Sequence, residues 1–137
     1  MLRVLADAGP LVALFDPDDR DHDLVVRFLS GFSGVLGTNW PVITEVTHLL
    51  DFSVDKQAEF LEWVERGGVA VAEIGTPDLA RIVALMKKYR DAPMDFADAT
   101  LVSVADTTNT PQIMTLDNNF RVYRFQGRKS FESVLAV

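Results

Sequence analysis

Residues 2–10 read Leu2-Arg3-Val4-Leu5-Ala6-Asp7-Ala8-Gly9-Pro10. The apolar run Leu2–Ala6 predicts a short buried strand, and Asp7-Ala8-Gly9-Pro10 breaks it. Pro10 suits the first turn of a short helix running through Phe15. An acid at the end of a buried strand is costly, because a partly buried carboxylate needs a cation or hydrogen-bond donors to compensate it. Asp7 is therefore the first candidate functional residue.

Working outward, strand and helix signals alternate. Asp16-Pro17-Asp18-Asp19 is a turn. Asp21 to Phe32 predicts a helix with Leu24, Val25, Phe28, Leu29 and Phe32 on one face. A short strand near Val35-Leu36 lies among Gly31, Gly34 and Gly37. Pro41 opens a helix carrying Val42, Val46, Leu49 and Leu50. Another runs from Asp55 to Arg66, with Phe60, Leu61 and Val64 inward, and Gly67-Gly68 ends it. Val69 to Ile74 is a strand. Thr76-Pro77-Asp78 starts a helix that reaches about Tyr89, with the Thr76 hydroxyl as cap. Asp95 to Asp106 is helical by its apolar spacing, and Gln112–Leu116 is a further strand. Val122–Phe125 is a candidate fifth, and the tail Val134–Val137 packs or frays. Strands separated by helices imply an α/β fold: a central, mostly parallel sheet of four or five strands flanked by helices. At 137 residues the expectation is a single domain spanning 1–137.

Composition narrows the function. No apolar run approaches the ~20 residues that span a bilayer. The N-terminus turns acidic too soon for a signal peptide, and there is no cysteine, which together lead us to expect a cytoplasmic protein without membrane attachment. Thiolate metal sites and cysteine nucleophiles are excluded. The net charge of −7 is uneven: residues 1–65 carry 4 basic and 12 acidic side chains, residues 66–137 carry 9 and 8. A polyanion would be tolerated only near Lys87-Lys88-Tyr89-Arg90 and near Arg121, Arg124, Arg128 and Lys129. The plain alternative is that both clusters are solvated surface.

Three further acids fall in costly places. Asp117 ends the run Ile113-Met114-Thr115-Leu116. Asp98 shares a helical stripe with Met94, Leu101, Val102 and Ala105, and Glu45 shares one with Val42 and Leu49. In open parallel sheets ligands sit beyond the carboxyl ends of the strands, where Asp7 and Asp117 lie. Each acid also has a plain reading. Asp7 and Asp95 can be helix caps, Glu45 can reach solvent, and Asp117 can be a turn residue. Together they suggest one site for a hard divalent cation, because Mg²⁺ and Mn²⁺ take oxygen ligands and cleave phosphodiesters through activated water.

Four segments carry a resemblance. Leu5-Ala6-Asp7-Ala8-Gly9-Pro10-Leu11-Val12-Ala13-Leu14-Phe15-Asp16 resembles the opening motif of PIN domains. Asn39-Trp40-Pro41-Val42-Ile43-Thr44-Glu45-Val46 resembles their second acidic motif. Met94-Asp95-Phe96-Ala97-Asp98-Ala99-Thr100-Leu101-Val102 resembles the third, and Met114-Thr115-Leu116-Asp117-Asn118-Asn119-Phe120-Arg121-Val122-Tyr123 the fourth. The resemblance spans almost the whole chain and implies a PIN-fold endoribonuclease similar to the VapC toxins of toxin–antitoxin pairs. By that likeness Asp7, Glu45, Asp98 and Asp117 are catalytic. Asp7, Asp98 and Asp117 would ligate Mg²⁺ or Mn²⁺, with Asp95 and Thr115 auxiliary. Arg121, Arg124 and Arg128 would contact the RNA backbone. The implied partners are RNA, an antitoxin whose basic tail enters the acidic pocket, and a second copy in a homodimer.

The remaining signals are plainer. His22 reads as solvated or capping and His48 as a partly buried structural histidine. Trp40 reads as a packing residue at the pocket rim, and Trp63, Phe60 and Leu61 as core or dimer contact. Gly31-Phe32-Ser33-Gly34 lacks the lysine of a phosphate loop. Two rival functions stay open: a non-catalytic PIN-fold module that receives a basic partner segment, and a DNA or phosphomonoester hydrolase with the same metal chemistry.

Overall fold

The structure, a computed structural model, describes residues 3–135. Leu2, the first residue of the expected opening strand, and Ala136-Val137 of the tail lie outside the described residues. Strand β1 is Val4–Ala6, followed by α1 (Ala8–Phe15), α2 (His22–Ser30), β2 (Leu36–Asn39), α3 (Trp40–Leu49), α4 (Val54–Glu65) and β3 (Ala70–Ala72). A 3₁₀ turn at Thr76–Asp78 leads into α5 (Leu79–Lys88). Then come α6 (Phe96–Thr108), β4 (Gln112–Met114), a second 3₁₀ turn at Asn118–Arg121, and the short strands β5 (Arg124–Phe125), β6 (Lys129–Ser130) and β7 (Glu132–Ser133).

The sheet has five strands in the order β3-β2-β1-β4-β7, every pair parallel. This matches the α/β architecture expected from the alternation of strand and helix signals. The fifth strand is not where the sequence suggested. Part of Val122–Phe125 becomes β5, which pairs antiparallel with β6 in a separate hairpin, and Glu132–Ser133 takes the sheet edge beside β4. The hairpin turn demands positive φ at Gln126 (48°) and Gly127 (80°).

The chain runs outward from β1 through β2 to β3, then returns to place β4 on the other side of β1. The reversal between β1 and β4 is a topological switch point, where the connections leave in opposite directions and open a crevice beyond the strand ends. Leu5 pairs with Ile113 and Ala6 with Met114, so Asp7 and the residues after Met114 emerge side by side. The Asp7 amide extends the ladder, donating to the Met114 carbonyl at 3.0 Å.

Helix α6 is enclosed: every residue from Ala97 to Ala105 is buried. Leu101, Val102 and Ala105 are fully buried as the apolar stripe predicts, but the burial continues around the helix, as in a helix covered on all sides. It packs against α3, α5 and the β5–β6 hairpin. Two predicted inward residues face out: Leu49 is 47% and Leu61 43% exposed. Each ends a helix face whose inner side is already filled, by Val46 and Leu50 in one case and Phe60 in the other. Thr76 does not cap its helix. The turn starts from Gly75, whose amide donates to the Asp78 carboxylate at 2.8 Å. In the tail, Leu135 is buried and Val134 packs against the core.

Candidate active site

Each acid is positioned by an element terminus. Asp7 leaves β1 with extended backbone and caps α1, its Oδ1 accepting from the Ala8 amide at 2.8 Å. Its Oδ2 accepts from the Thr115 hydroxyl at 2.9 Å. Thr115 in turn accepts from the Asp117 amide at 2.9 Å, so one hydroxyl ties the ends of β1 and β4 together. Asp117 caps the following 3₁₀ turn, its Oδ1 accepting from the Asn119 amide at 2.8 Å. Asp7 and Asp117 thus do serve as cap and turn residues, and each oxygen that accepts one hydrogen bond keeps a second lone pair for another partner.

Asp95 caps α6 through the Asp98 amide (2.8 Å), and the Asp98 carboxylate lies 3.4 Å from the Asp95 amide in return. This reciprocal capping box turns Asp98 back toward the helix start. Asp95 is exposed and Asp98 buried. The Tyr123 hydroxyl lies 3.3 Å from Asp98 Oδ2 and 3.1 Å from the Ala92 carbonyl, and donates to one or the other.

Carboxylate oxygens of Asp7, Asp98 and Asp117 all lie within 4.8 Å of one another. Glu45, half-buried on α3, lines the same cavity of about 350 Å³, together with Asp95, Pro93 and Leu116. The crowding shows in the proton equilibria. Burial, reinforced by Asp117 and Asp95, pushes the Asp7 carboxyl from 3.8 up to about 6, against the hydrogen bonds from Ala8 and Thr115. Asp98 is raised by burial and by the charges of Asp95 and Asp7. Glu45 is raised by burial and by Asp95, Asp7 and Asp117. Burial and the Asp98 charge raise the Tyr123 hydroxyl as well, which keeps it a donor.

Among the described residues no ion pair involves any of these acids. A cluster of hard oxygen donors, short of positive charge and partly dry, fits a divalent cation such as Mg²⁺ or Mn²⁺ and does not suit a soft metal.

The basic residues are less concentrated. Arg121 lines a depression of about 250 Å³ with Arg20 and Asn118, adjoining the acidic cavity at Leu116. Arg124 is turned back on its own loop, its Nη1 donating to the carbonyls of Arg121, Val122 and Tyr123. Arg128 is exposed at the hairpin turn. Neither lines the acidic cavity.

Tyr123 and Arg20 carried no role in the sequence reading. Tyr123 stands 25 positions from Asp98 in no periodic relation to it. Arg20 sits in an acidic turn that reads as solvent. Trp40, expected to pack, is 59% exposed at the cavity rim, and His48 is exposed rather than partly buried. The His22 ring bonds the Ala13 carbonyl at 2.7 Å, a structural tie between α2 and α1. Of the predicted aromatic patch, Phe60 and Trp63 pack edge-on against Phe15.

Comparison with known proteins gives a consistent picture. A family model described as PIN domain matches residues 4–126. Ribonuclease VapC26 of Mycobacterium tuberculosis is 29% identical over 116 residues, covering 83% of this chain and 86% of that protein. The crystal structure of VapC20 from the same organism, described as a sarcin-ricin loop cleaving toxin, superposes with a TM-score of 0.82 at 17% identity, covering 89% of this chain and 95% of that one. PAE2754 from Pyrobaculum aerophilum superposes with a TM-score of 0.59 at 19% identity, covering 97% and 90%.

Proposed function

This chain belongs to the PIN domain family, and from that membership we propose that it is a metal-dependent endoribonuclease, the toxin of a toxin–antitoxin pair. The observation that carries the proposal is the convergence of Asp7, Asp98 and Asp117 at the sheet's switch point with no ion pair to balance them among the described residues. Similarity to a ribonuclease over most of the chain supports the choice of RNA.

Asp7, Asp98 and Asp117 would hold Mg²⁺ or Mn²⁺. When bound, the ion would lower the pKa of a water and polarise the scissile phosphate. The chain's own residues do the rest. Ala8 and Thr115 fix both oxygens of Asp7, so the carboxylate does not rotate between turnovers. At Asp98 the Tyr123 hydroxyl and the Asp95 amide both address Oδ2, which leaves Oδ1 free to face the ion. Glu45, which lines the same cavity and has no hydrogen-bond or ion-pair partner among the described residues, orients the attacking water as a carboxylate base. Arg121, with Arg20 beside it, receives an RNA phosphate, and Arg124 and Arg128 extend the positive charge along the hairpin.

In this reading residues 1–137 act as one nuclease domain, working as a homodimer in the cytoplasm. The antitoxin would silence it by placing a basic segment in the acidic cavity. No helix among the described residues is long and apolar enough to cross a membrane.

Asp7→Asn and Asp98→Asn tests this directly. Each purified variant should lose Mn²⁺-dependent RNA cleavage while its circular dichroism stays that of the parent. Full activity in both would sink the assignment. Parallel assays on single-stranded DNA and a simple phosphate monoester separate a ribonuclease from a broader hydrolase. A parent protein that takes up Mn²⁺ but hydrolyses none of them would instead be a binding module.

A further inference from the structure

Glu45 and Asp95 form the common wall of two adjoining depressions. One is the acidic cavity; the other, of about 710 Å³, is lined chiefly by carbon, with Trp40, Phe96 and Ile74 its largest apolar surfaces. Trp40 is 59% and Phe96 45% exposed. Each is the first residue of its helix, directly after an N-cap whose side chain is hydrogen-bonded into the first turn. Both rings are thus carried by rigid elements, and neither stacks on another aromatic ring among the described residues. Large apolar side chains held in this way forfeit burial and gain nothing from packing.

The lining selects the kind of ligand. Among the described residues no lysine or arginine lines this depression, His48 contributes its imidazole, and the wall of Glu45 and Asp95 repels phosphate. Such a lining suits either a cationic side chain or a flat, uncharged group with a π face, and the adjoining cavity proposed to handle a phosphodiester favours the second. The geometry points to a nucleobase subsite: an unpaired base next to the scissile phosphate stacks on Trp40 and Phe96 while the phosphate lies over Asp7 and Asp98. This inference rests on the endoribonuclease reading and adds a substrate requirement to it. The shared wall makes the two subsites neighbours, which suits adjacent positions of one strand. At Leu116 the acidic cavity also adjoins a depression lined by Arg20, its ion-pair partner Asp21, and Arg121, so the strand runs from an aromatic side to one with a net positive charge. A base in a duplex is stacked and paired and cannot enter, whereas loops and single strands splay their bases onto aromatic faces.

The test reads the base contact apart from the chemistry. In a Trp63→Phe background Trp40 is the sole tryptophan, and Asp98→Asn prevents turnover during the titration. A single-stranded oligoribonucleotide should quench Trp40 fluorescence, and an abasic oligomer of equal length should not. With Asp98 restored, Trp40→Ala and Phe96→Ala should each raise KM for the single-stranded RNA on the order of 10-fold, with Trp40→Phe recovering most of the loss. Base-dependent quenching without any cleavage by the parent would retain the subsite and remove the nuclease. Cleavage with an unchanged KM in both alanine variants would retain the nuclease and overturn the subsite. Quenching by an arginine-rich peptide but not by RNA would also overturn it, assigning the surface to a protein segment. Loss of self-association in Trp40→Ala with RNA binding intact would assign it to a second copy.

Discussion

Thr115 donates its hydroxyl to Asp7 Oδ2 while accepting the Asp117 amide, both at 2.9 Å, so one side chain orients one of the three converging carboxylates and fixes the backbone that carries a second. Thr115→Val keeps the shape and removes both bonds. We expect Mn²⁺ affinity to fall 10- to 100-fold, as for other residues that orient metal ligands, with Thr115→Ser restoring most of it. Isothermal titration of the three proteins checks this, and unchanged affinity in the valine variant would refute the orienting role.

The acids also set a pH dependence. Burial holds the Asp7 carboxyl at about 6 against 3.8 in the unfolded chain, and Asp98 is raised in the same direction. The native, metal-free protein therefore binds these protons more tightly than the unfolded chain does. Their stabilising contribution is complete below pH 3.8; that of Asp7 is lost as pH rises through about 6 and that of Asp98 as it rises through about 8. For Asp7 alone the loss is on the order of 2–3 kcal/mol. Thermal melts in EDTA should show Tm falling from pH 5 to pH 8, with a shallower fall in Asp98→Asn. Saturating Mn²⁺ should protect more at pH 8 than at pH 5, since the ion competes with the protons. A Tm that rises with pH in EDTA would contradict the assignment.

The Tyr123 hydroxyl is the side-chain donor within reach of Asp98, shared with the Ala92 carbonyl, and its ring packs edge-on against Phe120 and Tyr89 at centroid distances of 5.0 and 5.2 Å. Tyr123→Phe preserves the packing and deletes the hydroxyl. The expected result is a several-fold loss of Mn²⁺ affinity with Tm within a few degrees of the parent. A collapse of the fold instead would show that the bond to the Ala92 carbonyl is the one that matters.

Away from the cavity, Asp106 joins three elements. It accepts from Arg81 Nε on α5 at 2.8 Å and from the Gln126 amide in the hairpin turn at 2.6 Å. Asp106→Ala should cost about 2 kcal/mol, a value usual for charge-assisted bonds, and leave Mn²⁺ affinity unchanged. Urea denaturation measures the first and titration the second.

The sequence revealed the site's components more readily than its supports. Asp7, Asp98 and Asp117 stood out because each interrupts a local apolar pattern, and Asp95 because it precedes a helix in good capping context. Thr115 was visible only through family likeness, and Tyr123 not at all, since their contacts join segments far apart in the chain. The same limit governed the fold. Strands with apolar runs, such as β1 and β4, were legible. Strand β7 is exposed at Glu132 and Ser133 and has no apolar signature, so its sheet position follows from pairing with β4 alone. Leu49 and Leu61 misled because helical spacing marks a stripe and does not tell how wide the neighbouring core is.

The bond between Thr115 and Asp7 spans 108 positions of the chain. Closing so long a loop carries an entropic cost that local contacts cannot offset, so such a contact belongs to the late stages of folding. During synthesis, Asp7 leaves the ribosome long before its partners exist, and the carboxylates stay apart until β4 docks beside β1. A growing or partly folded chain accordingly lacks the assembled cluster on which the proposed RNA cleavage depends. On the proposed endoribonuclease reading, this delay would leave an interval in which an inhibitor could meet the chain before its active site exists.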